Sequence, residues 1–190
     1  MDNHYIENKC FQGVKFDSNT LVSEYENCEF IACNFAGLDL GNIKFIHCLF
    51  IDCNLSLAQI KNITFDQAQF KLSKLLGVNF SECNPFNLGL SFEGCTLNDS
   101  SFYGCKISKT TFTICSLMNV DFENADLSKS SFEESLLSGS NFYQTNLEGA
   151  DFYSADDFNI DLDLNKIKGA KFSYEGLPGL LAKYKLKIKL

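Results

Sequence analysis

Cysteine is the residue of this 190-residue chain with the most obvious capacity for chemistry, because nine are present. Cys28, Cys33, Cys48 and Cys53 form a four-thiol set of the kind that binds zinc. Zinc-ribbon ligands come in pairs about two to four residues apart, whereas these cysteines lie five or more residues apart, so we expect no metal site. Cysteines 20 residues apart are spaced for disulfides, but the odd number favours free thiols.

An acidic run near the C-terminus has some of the features of a calcium loop. Asp161, Asp163 and Asn165 alternate along the chain, as the oxygen ligands of such loops do. Lys166, however, takes the position where an EF-hand needs glycine, and no distal glutamate follows. We therefore interpret this run as a solvated loop.

Catalytic motifs are missing from the sequence. The two histidines, His4 and His47, are far apart, and His47 is expected to face solvent. There is neither a glycine-rich phosphate loop nor a nucleophile elbow. We expect a protein that is not an enzyme and binds no cofactor. A thiol-based redox or metal protein is the alternative, and it predicts bound zinc or a reactive thiolate.

The elements that position these residues follow from an internal period of five. From Ser91 to Phe152 a large hydrophobic residue occupies every fifth position, and from Leu97 onward the residue two places before each is small. The large residues are Phe92, Leu97, Phe102, Ile107, Phe112, Leu117, Phe122, Leu127, Phe132, Leu137, Phe142, Leu147 and Phe152. Seven cysteines take the small inward positions: Cys28, Cys33, Cys48, Cys53, Cys95, Cys105 and Cys115, with Cys83 uncertain.

A period of five fits neither an α-helix, which repeats every 3.6 residues, nor a flat strand, which repeats every two. The backbone must therefore turn a corner every five residues. Phe alternates with Leu or Ile, and cysteines recur 20 apart, so four sides should make one coil. Coils stacked at ~4.8 Å form a solenoid, and about eight coils give a rod ~40 Å long. Two opposite sides should carry Phe inward.

The five-residue frame shifts at two places and is interrupted at a third. It starts near Ile6, and a one-residue deletion between Leu21 and Tyr25 moves it. It breaks at residues 82–91, where Pro85 occupies a core position and the frame resumes two residues out of step. Proline has no N–H to donate to a ladder, so we expect a bulge or a small outward loop here.

The last irregularity lies at residues 153–161. There Phe158 is expected to replace Asp157 in the core, because a carboxylate cannot occupy an apolar interior.

The repeats resemble the pentapeptide-repeat family, in which a small residue precedes Asn or Asp and then Leu or Phe. Ala125-Asp126-Leu127, Ser140-Asn141-Phe142 and Ala150-Asp151-Phe152 match that pattern. The resemblance implies an all-β fold, a right-handed quadrilateral β-helix, here over residues 1–175. A short C-terminal helix and strand should follow in residues 176–190.

The C-terminal segment is predicted to cap the solenoid and to form a homodimer. Apolar residues at helical spacing, with Pro178 suited to a first turn, are followed by an alternating strand pattern over Lys183–Leu190. The segment resembles the dimerisation tail of quinolone-resistance (Qnr-type) and microcin-immunity pentapeptide proteins. The predicted interface residues are Leu177, Leu180, Leu181, Tyr184, Leu186 and Ile188.

Charge is unevenly distributed within a net charge of −8. Residues 92–163 carry three lysines against 13 acidic residues, a net charge of −10, and the chain has no arginine. A nucleic-acid binder would carry a basic stripe, so no direct nucleic-acid binding is expected. The predicted recognition surface is acidic: Glu93, Asp121, Glu123, Asp126, Glu133, Glu134 and Asp151. Asp121 and Glu123 should share a side with Tyr103 and Tyr143.

The resemblance implies a DNA mimic that binds a type II topoisomerase, DNA gyrase or topoisomerase IV, and alters quinolone or toxin susceptibility. The alternative is an interaction scaffold for an unrelated protein, without effect on gyrase. Qnr-type proteins project sizeable loops from the solenoid, whereas the breaks at 82–91 and 153–161 are short. This difference argues against transferring topoisomerase protection from those proteins to this chain. No apolar run is long enough for a membrane span, and the first residues do not resemble a signal peptide, so a cytoplasmic protein is expected.

Overall fold

The computed structural model describes residues 5–187, which form a right-handed, four-sided β-helix of about eight coils. The interior follows the predicted period, since every large residue of the stretch 91–152 is buried. The regular strands are β1 Tyr5–Glu7, β2 Cys10–Gln12, β3 Glu24–Glu26, β4 Glu29–Ile31, β5 Lys44–Ile46, β6 Leu49–Ile51, β7 Thr64–Asp66, β8 Ala68–Lys71, β9 Leu90–Glu93, β10 Thr111–Thr113, β11 Asp151–Phe152 and β12 Lys171–Phe172.

Neighbouring coils pair in parallel, and the pairing shows the predicted frame shifts. The usual offset is 20 residues, as between Phe112 and Phe132, which stack in successive coils. Tyr5 pairs with Glu24, an offset of 19, which confirms the early deletion. Phe70 pairs with Phe92, an offset of 22, which confirms two extra residues before β9.

The four sides are numbered by their inward residues in the second half of the chain. Face 1 contains Phe92, Phe112, Phe132 and Phe152; face 2, Leu97, Leu117 and Leu137; face 3, Phe102, Phe122 and Phe142; face 4, Ile107, Leu127 and Leu147. The rings on face 1 stack with centroids 4.6–5.2 Å apart from Phe92 to Phe152. Edge-to-face contacts join face 1 to face 3 across the interior, as between Phe102 and Phe112 at 5.8 Å.

The prediction that two opposite sides carry inward Phe is therefore confirmed only for the second half of the chain. In the first half the second aromatic column is Tyr25, Phe45 and Phe65 on face 4, which is adjacent to face 1. The column moves to face 3 at Phe80, which stacks on Phe102 at 4.4 Å. Adjacent columns still meet edge to face, so the interior stays filled.

In repeats that have Asn or Asp just before the inward residue, such as those at Asp121 and Asn141, this side chain forms the corner. The side chain of Asp121 accepts a hydrogen bond from the backbone N–H of Glu123 at 3.1 Å, two residues further on. Asn141 does the same for Tyr143 at 3.0 Å. This Asx turn bends the chain, and the next residue after it, such as Asn124 with φ 58°, adopts the left-handed conformation that Asn tolerates.

The two irregular segments differ in their effect on the coil. Asn84 still pairs with the coil below through the carbonyl of Ile63 at 2.8 Å, but Pro85 and Phe86 project outward. At the second segment the offset stays 20, because Leu136 pairs with Asp156. Phe158 is buried and Asp157 exposed, as predicted.

The C-terminal segment forms the short helix α1, Leu177–Leu181, with Pro178 in its first turn, as predicted. The strand predicted from Lys183 onward is wrong in its described part. Residues 182–184 form a 3-10 turn, and Lys185 then adopts φ 51°, which ends any extended run. Among residues 5–187 no helix has the length and apolar character that crossing a bilayer requires.

Candidate protein-recognition surface

Face 3 presents a compact acidic patch flanked by tyrosines. Asp121 and Glu123 lie one coil above Tyr103 and one coil below Tyr143, because 101, 121 and 141 form one ladder. The predicted placement of these four residues on one side is therefore confirmed. Both tyrosines are exposed, whereas the two carboxylates are half-buried.

Asn141 holds the two carboxylates of this patch in place. Its side-chain amide donates to Oδ1 of Asp121 at 3.1 Å and to Oε2 of Glu123 at 3.2 Å. These bonds restrict the rotamers of both acids before any partner arrives, so less side-chain entropy is lost on binding. The outward positions of face 3 from Ser101 to Gln144 include no lysine.

The other predicted acids lie elsewhere on the rod. Glu133, Glu134 and Asp151 belong to face 1, opposite face 3, together with Glu93. Asp126 belongs to face 4, where it accepts from Asn146 at 3.0 Å. The seven predicted residues thus occupy three sides, and no flat partner can contact them all.

Two of the acids on face 1 are already paired with lysines. Glu93 lies 2.9 Å from Lys71, and Asp151 lies 3.0 Å from Lys171. The backbone N–H of Tyr153, and after it Lys171, lower the pKa of Asp151. Both lysines neutralise charge locally, so of these four acids on face 1 only Glu133 and Glu134 form no ion pair within the described residues.

Lysine placement is the feature that sequence reasoning missed. All three lysines of residues 92–163 lie on face 4, and Lys166 and Lys168 extend the same side; the set is Lys106, Lys109, Lys129, Lys166 and Lys168. Within the described chain none of the five forms an ion pair. Lysines that lie about 20 residues apart fall on the same side of the coil, so the spacing in the sequence could have shown this cluster. The net charge of successive segments does not show it.

The predicted dimer residues divide into buried and exposed groups. Leu180 is buried against its own solenoid and Leu181 is half-buried, and their place in a dimer interface stays a prediction. Leu177, Tyr184 and Leu186 are exposed. Ile188 lies outside the described residues.

Family comparison decides the identity of this architecture. A model of the pentapeptide repeat region matches residues 23–90 and 89–172. The chain belongs to the pentapeptide-repeat family. No curated protein sequence matches it.

Solved structures of QnrB1, a plasmid-mediated fluoroquinolone resistance protein, share the pentapeptide-repeat fold. A trypsin-treated QnrB1 variant is 18% identical, with a TM-score of 0.64, and the match covers 95% of this chain and 99% of that one. Full-length QnrB1 is 19% identical, with a TM-score of 0.60 and coverage of 96% and 100%. At this identity the likeness shows the fold.

Cysteines in this pentapeptide-repeat interior act as small hydrogen-bond donors. Sγ of Cys53 donates to the carbonyl of Phe30 at 3.2 Å, as the hydroxyl of Ser135 does to that of Phe112 at 3.0 Å. Burial raises the pKa of Cys48, Cys53 and Cys105 to about 12. Such thiols are protonated at neutral pH, and among the described residues no cluster of His, Cys, Asp or Glu could hold a metal ion.

Proposed function

We propose that this protein is a non-enzymatic, acidic scaffold that binds the DNA-binding groove of a type II topoisomerase, DNA gyrase or topoisomerase IV. Binding there would alter susceptibility to quinolones or to a toxin that acts on the enzyme. The proposed partner is cytoplasmic, so the proposal places the protein in the cytoplasm. It does not involve direct binding of nucleic acid or of a membrane.

The observation that carries the proposal is the acidic patch of face 3. Asp121 and Glu123 project from either side of the inward Phe122 in one coil and are held by Asn141. No lysine on that face between 101 and 144 balances their charge. Duplex DNA presents one negative charge per ~1.7 Å of its axis, so a groove that binds DNA favours a rigid anionic rod. Tyr103 and Tyr143 add exposed aromatic area, which is typical of protein interfaces.

Resemblance to QnrB1 supports the choice of partner. QnrB1 is a fluoroquinolone resistance protein of the same fold, and its match spans nearly the whole of both chains. Fold alone does not transfer an activity, so the acidic patch remains the physical basis of the proposal.

The distribution of the acids favours one alternative, a scaffold for an unrelated protein without effect on gyrase. Glu133 and Glu134 lie on the side opposite Asp121, so a second partner could use face 1 independently. In either case a homodimer through the C-terminal segment is part of the proposal, with Leu177, Tyr184 and Leu186 as its exposed apolar residues.

A DNA-supercoiling assay with purified gyrase and ciprofloxacin tests the proposal. We expect the protein to shift the ciprofloxacin dose that inhibits supercoiling by half. Asp121→Asn combined with Glu123→Gln keeps the shape and removes two charges, so it should reduce the shift at least about fivefold, because complementary charges drive the association. Raising the salt concentration should weaken binding in the same way.

The matched control is Glu133→Gln combined with Glu134→Gln, which removes two exposed charges from the opposite face. This variant should behave like the unchanged protein. A wild-type protein that binds neither gyrase nor topoisomerase IV at low salt would overturn the choice of partner. If both double variants reduce the ciprofloxacin shift equally, the net charge of the protein matters and the position of the charges on face 3 does not.

A further inference from the structure

We propose that a second copy of this chain binds side by side and antiparallel on face 4, with the bulge of residues 84–89 at the centre of the contact. This lateral interface is separate from the C-terminal dimer and from the acidic patch of face 3. Three features of face 4 lead to it: the position of the bulge, an exposed aromatic ring on it, and opposite charge on its two sides.

The bulge lies at the midpoint of face 4. Four inward positions precede it, and four follow it: Ile6, Tyr25, Phe45 and Phe65, then Ile107, Leu127, Leu147 and Ile167. A twofold axis that crosses this face at the bulge therefore superimposes one half of the face on the other half of a second copy. Contacts of this kind are self-complementary, as in most homodimers.

Phe86 supplies an apolar centre. It is 78% exposed, whereas the inward phenylalanines of the coils are buried or, at Phe11 and Phe172 near the two ends, half-buried. The adjacent Pro85 is also exposed, and the pair lies beside an open groove bordered by Tyr103 and Lys106. On the axis Phe86 would meet its own copy and bury an aromatic side chain that water now surrounds.

Charge on face 4 changes sign at the bulge. The outward positions before it carry Glu7, Glu24, Glu26 and Asp66 against Lys44, which pairs with Glu24. The outward positions after it carry Lys106, Lys109, Lys129, Lys166 and Lys168 against Asp126 and Glu148. The two halves have net charges of −3 and +3, which suits an antiparallel pair.

The antiparallel arrangement predicts specific pairs, because each residue meets the mirrored coil at the same position across the face. Glu7, in the first coil, would meet Lys168 of the second copy, in the last coil. Lys44 would meet Asp126 of the second copy. Glu26 would oppose Glu148, the single like-charge contact.

Asp66 lies one coil before the bulge and would lie between two lysines of the second copy, Lys106 and Lys109.

A nucleic acid fits this face less well. The positive half is bordered by the acidic positions of faces 1 and 3, the chain has a net charge of −8, and the other half of face 4 would repel phosphate.

The association should be weak and sensitive to salt. One side of a narrow rod offers less than the ~800 Å² per partner of a standard interface, so a dissociation constant of ~10–100 µM is expected. The charged pairs lie at the rim and are screened by salt, whereas Phe86 lies at the centre.

Sedimentation equilibrium of the full chain at 10–500 µM tests the proposal, at low and at high salt. Phe86→Ser should weaken association at least about tenfold, as loss of a central aromatic side chain does. Lys168→Glu should weaken it about threefold to tenfold. Adding Glu7→Lys in the same chain should restore it, because the two Glu7–Lys168 pairs of the dimer are then reversed in charge rather than broken.

Leu186→Ser removes an exposed residue of the C-terminal interface and is the matched control. It should leave the lateral association intact. If Phe86→Ser leaves the association of the Leu186→Ser protein unchanged, or if a Glu7/Lys168 double variant is no better than Lys168→Glu, the proposal is overturned. A wild-type chain that stays monomeric at 500 µM would also overturn it. So would a chain that binds a 20-base-pair DNA duplex through the lysines of face 4 instead of a second copy.

Discussion

The side-chain nitrogen of Lys183 lies 2.6 Å from Oδ1 of Asp161, and it also contacts the carboxylate of Asp163. This contact joins the end of α1 to the last coil, 22 residues earlier in the chain. Next to it Gly179 lies so close to Phe158 that a Cβ at position 179 would approach the carbonyl oxygen of Phe158 to 2.1 Å. The ion pair and the close backbone contact together hold the C-terminal segment on the solenoid.

Replacing Lys183 with Met should loosen α1 without unfolding the coils. The charge that fixes the segment to Asp161 is lost, while the buried side chain of Leu180 remains. Hydrogen exchange at pH 7 should become faster by at least about threefold at the amides of 177–184, and unchanged at those of 100–150. Lys168→Met, at an exposed lysine without an ion pair, is the control and should change neither region.

The same contact should depend on pH. Lys183 lowers the pKa of Asp161, so the stabilisation is complete at neutral pH and is lost as the pH falls through that lowered pKa. Amide chemical shifts of 177–184 should therefore titrate below about pH 4 in the wild type. If Lys183→Met shows the same titration, the ion pair is not what holds the segment.

Ser100 and Ser135 should respond oppositely to replacement by alanine. Both are buried, but the hydroxyl of Ser100 has no hydrogen-bond partner among the described residues. The hydroxyl of Ser135 accepts from the N–H of Cys115 at 2.9 Å and donates to the carbonyl of Phe112. Ser100→Ala should leave the free energy of unfolding unchanged or raise it by up to about 1 kcal/mol, and Ser135→Ala should lower it by about 1–3 kcal/mol.

Denaturant titration followed by far-UV circular dichroism measures both serine variants. A loss of stability with Ser100→Ala comparable to that of Ser135→Ala would show that Ser100 also has a partner, such as a bound water.

Phe112 and Phe86 test how much the interior stabilises the rod. Phe112 is fully buried and stacked between Phe92 and Phe132, whereas Phe86 is 78% exposed. Phe112→Ala should lower the free energy of unfolding by about 3–5 kcal/mol, and Phe86→Ala by less than about 0.5 kcal/mol. Thermal unfolding at low protein concentration keeps self-association out of the comparison, and equal effects would contradict the assigned interior.

Thiol labelling should find one reactive cysteine. Cys10 is exposed in β2, and the other eight are buried. Because burial raises the pKa of thiols such as Cys48, these eight should react only after unfolding. We expect about one equivalent of Ellman's reagent to react with the native protein and nine with the denatured protein. Cys10→Ser should abolish the native signal; rapid labelling that persists would mean that the coils open readily.

Several features of the molecule could be predicted because they depend on local spacing. Pro85 at an inward position predicted the outward bulge, and Asp157 predicted the replacement by Phe158. The tail was different, since the alternation after Lys183 is typical of a strand, yet the chain turns there. Strand formation needs a neighbouring edge to pair with, and alternation along the sequence does not provide one.

The sequence by itself determined the coil. A large residue every five positions and a small one two places earlier leave a single dry interior as the way to bury both. The two frame shifts, which give coil-to-coil offsets of 19 and 22 residues, are also visible in the spacing. Apart from the four residues of face 3 that the period already placed together, only the tertiary structure decided which side chains share an outer face. It assembled the lysines on face 4, separated the predicted acids onto three sides, and turned Leu180 inward. The physical reason is that burial constrains inward positions one residue at a time, whereas surfaces arise from residues 20 or more apart that stacking brings together.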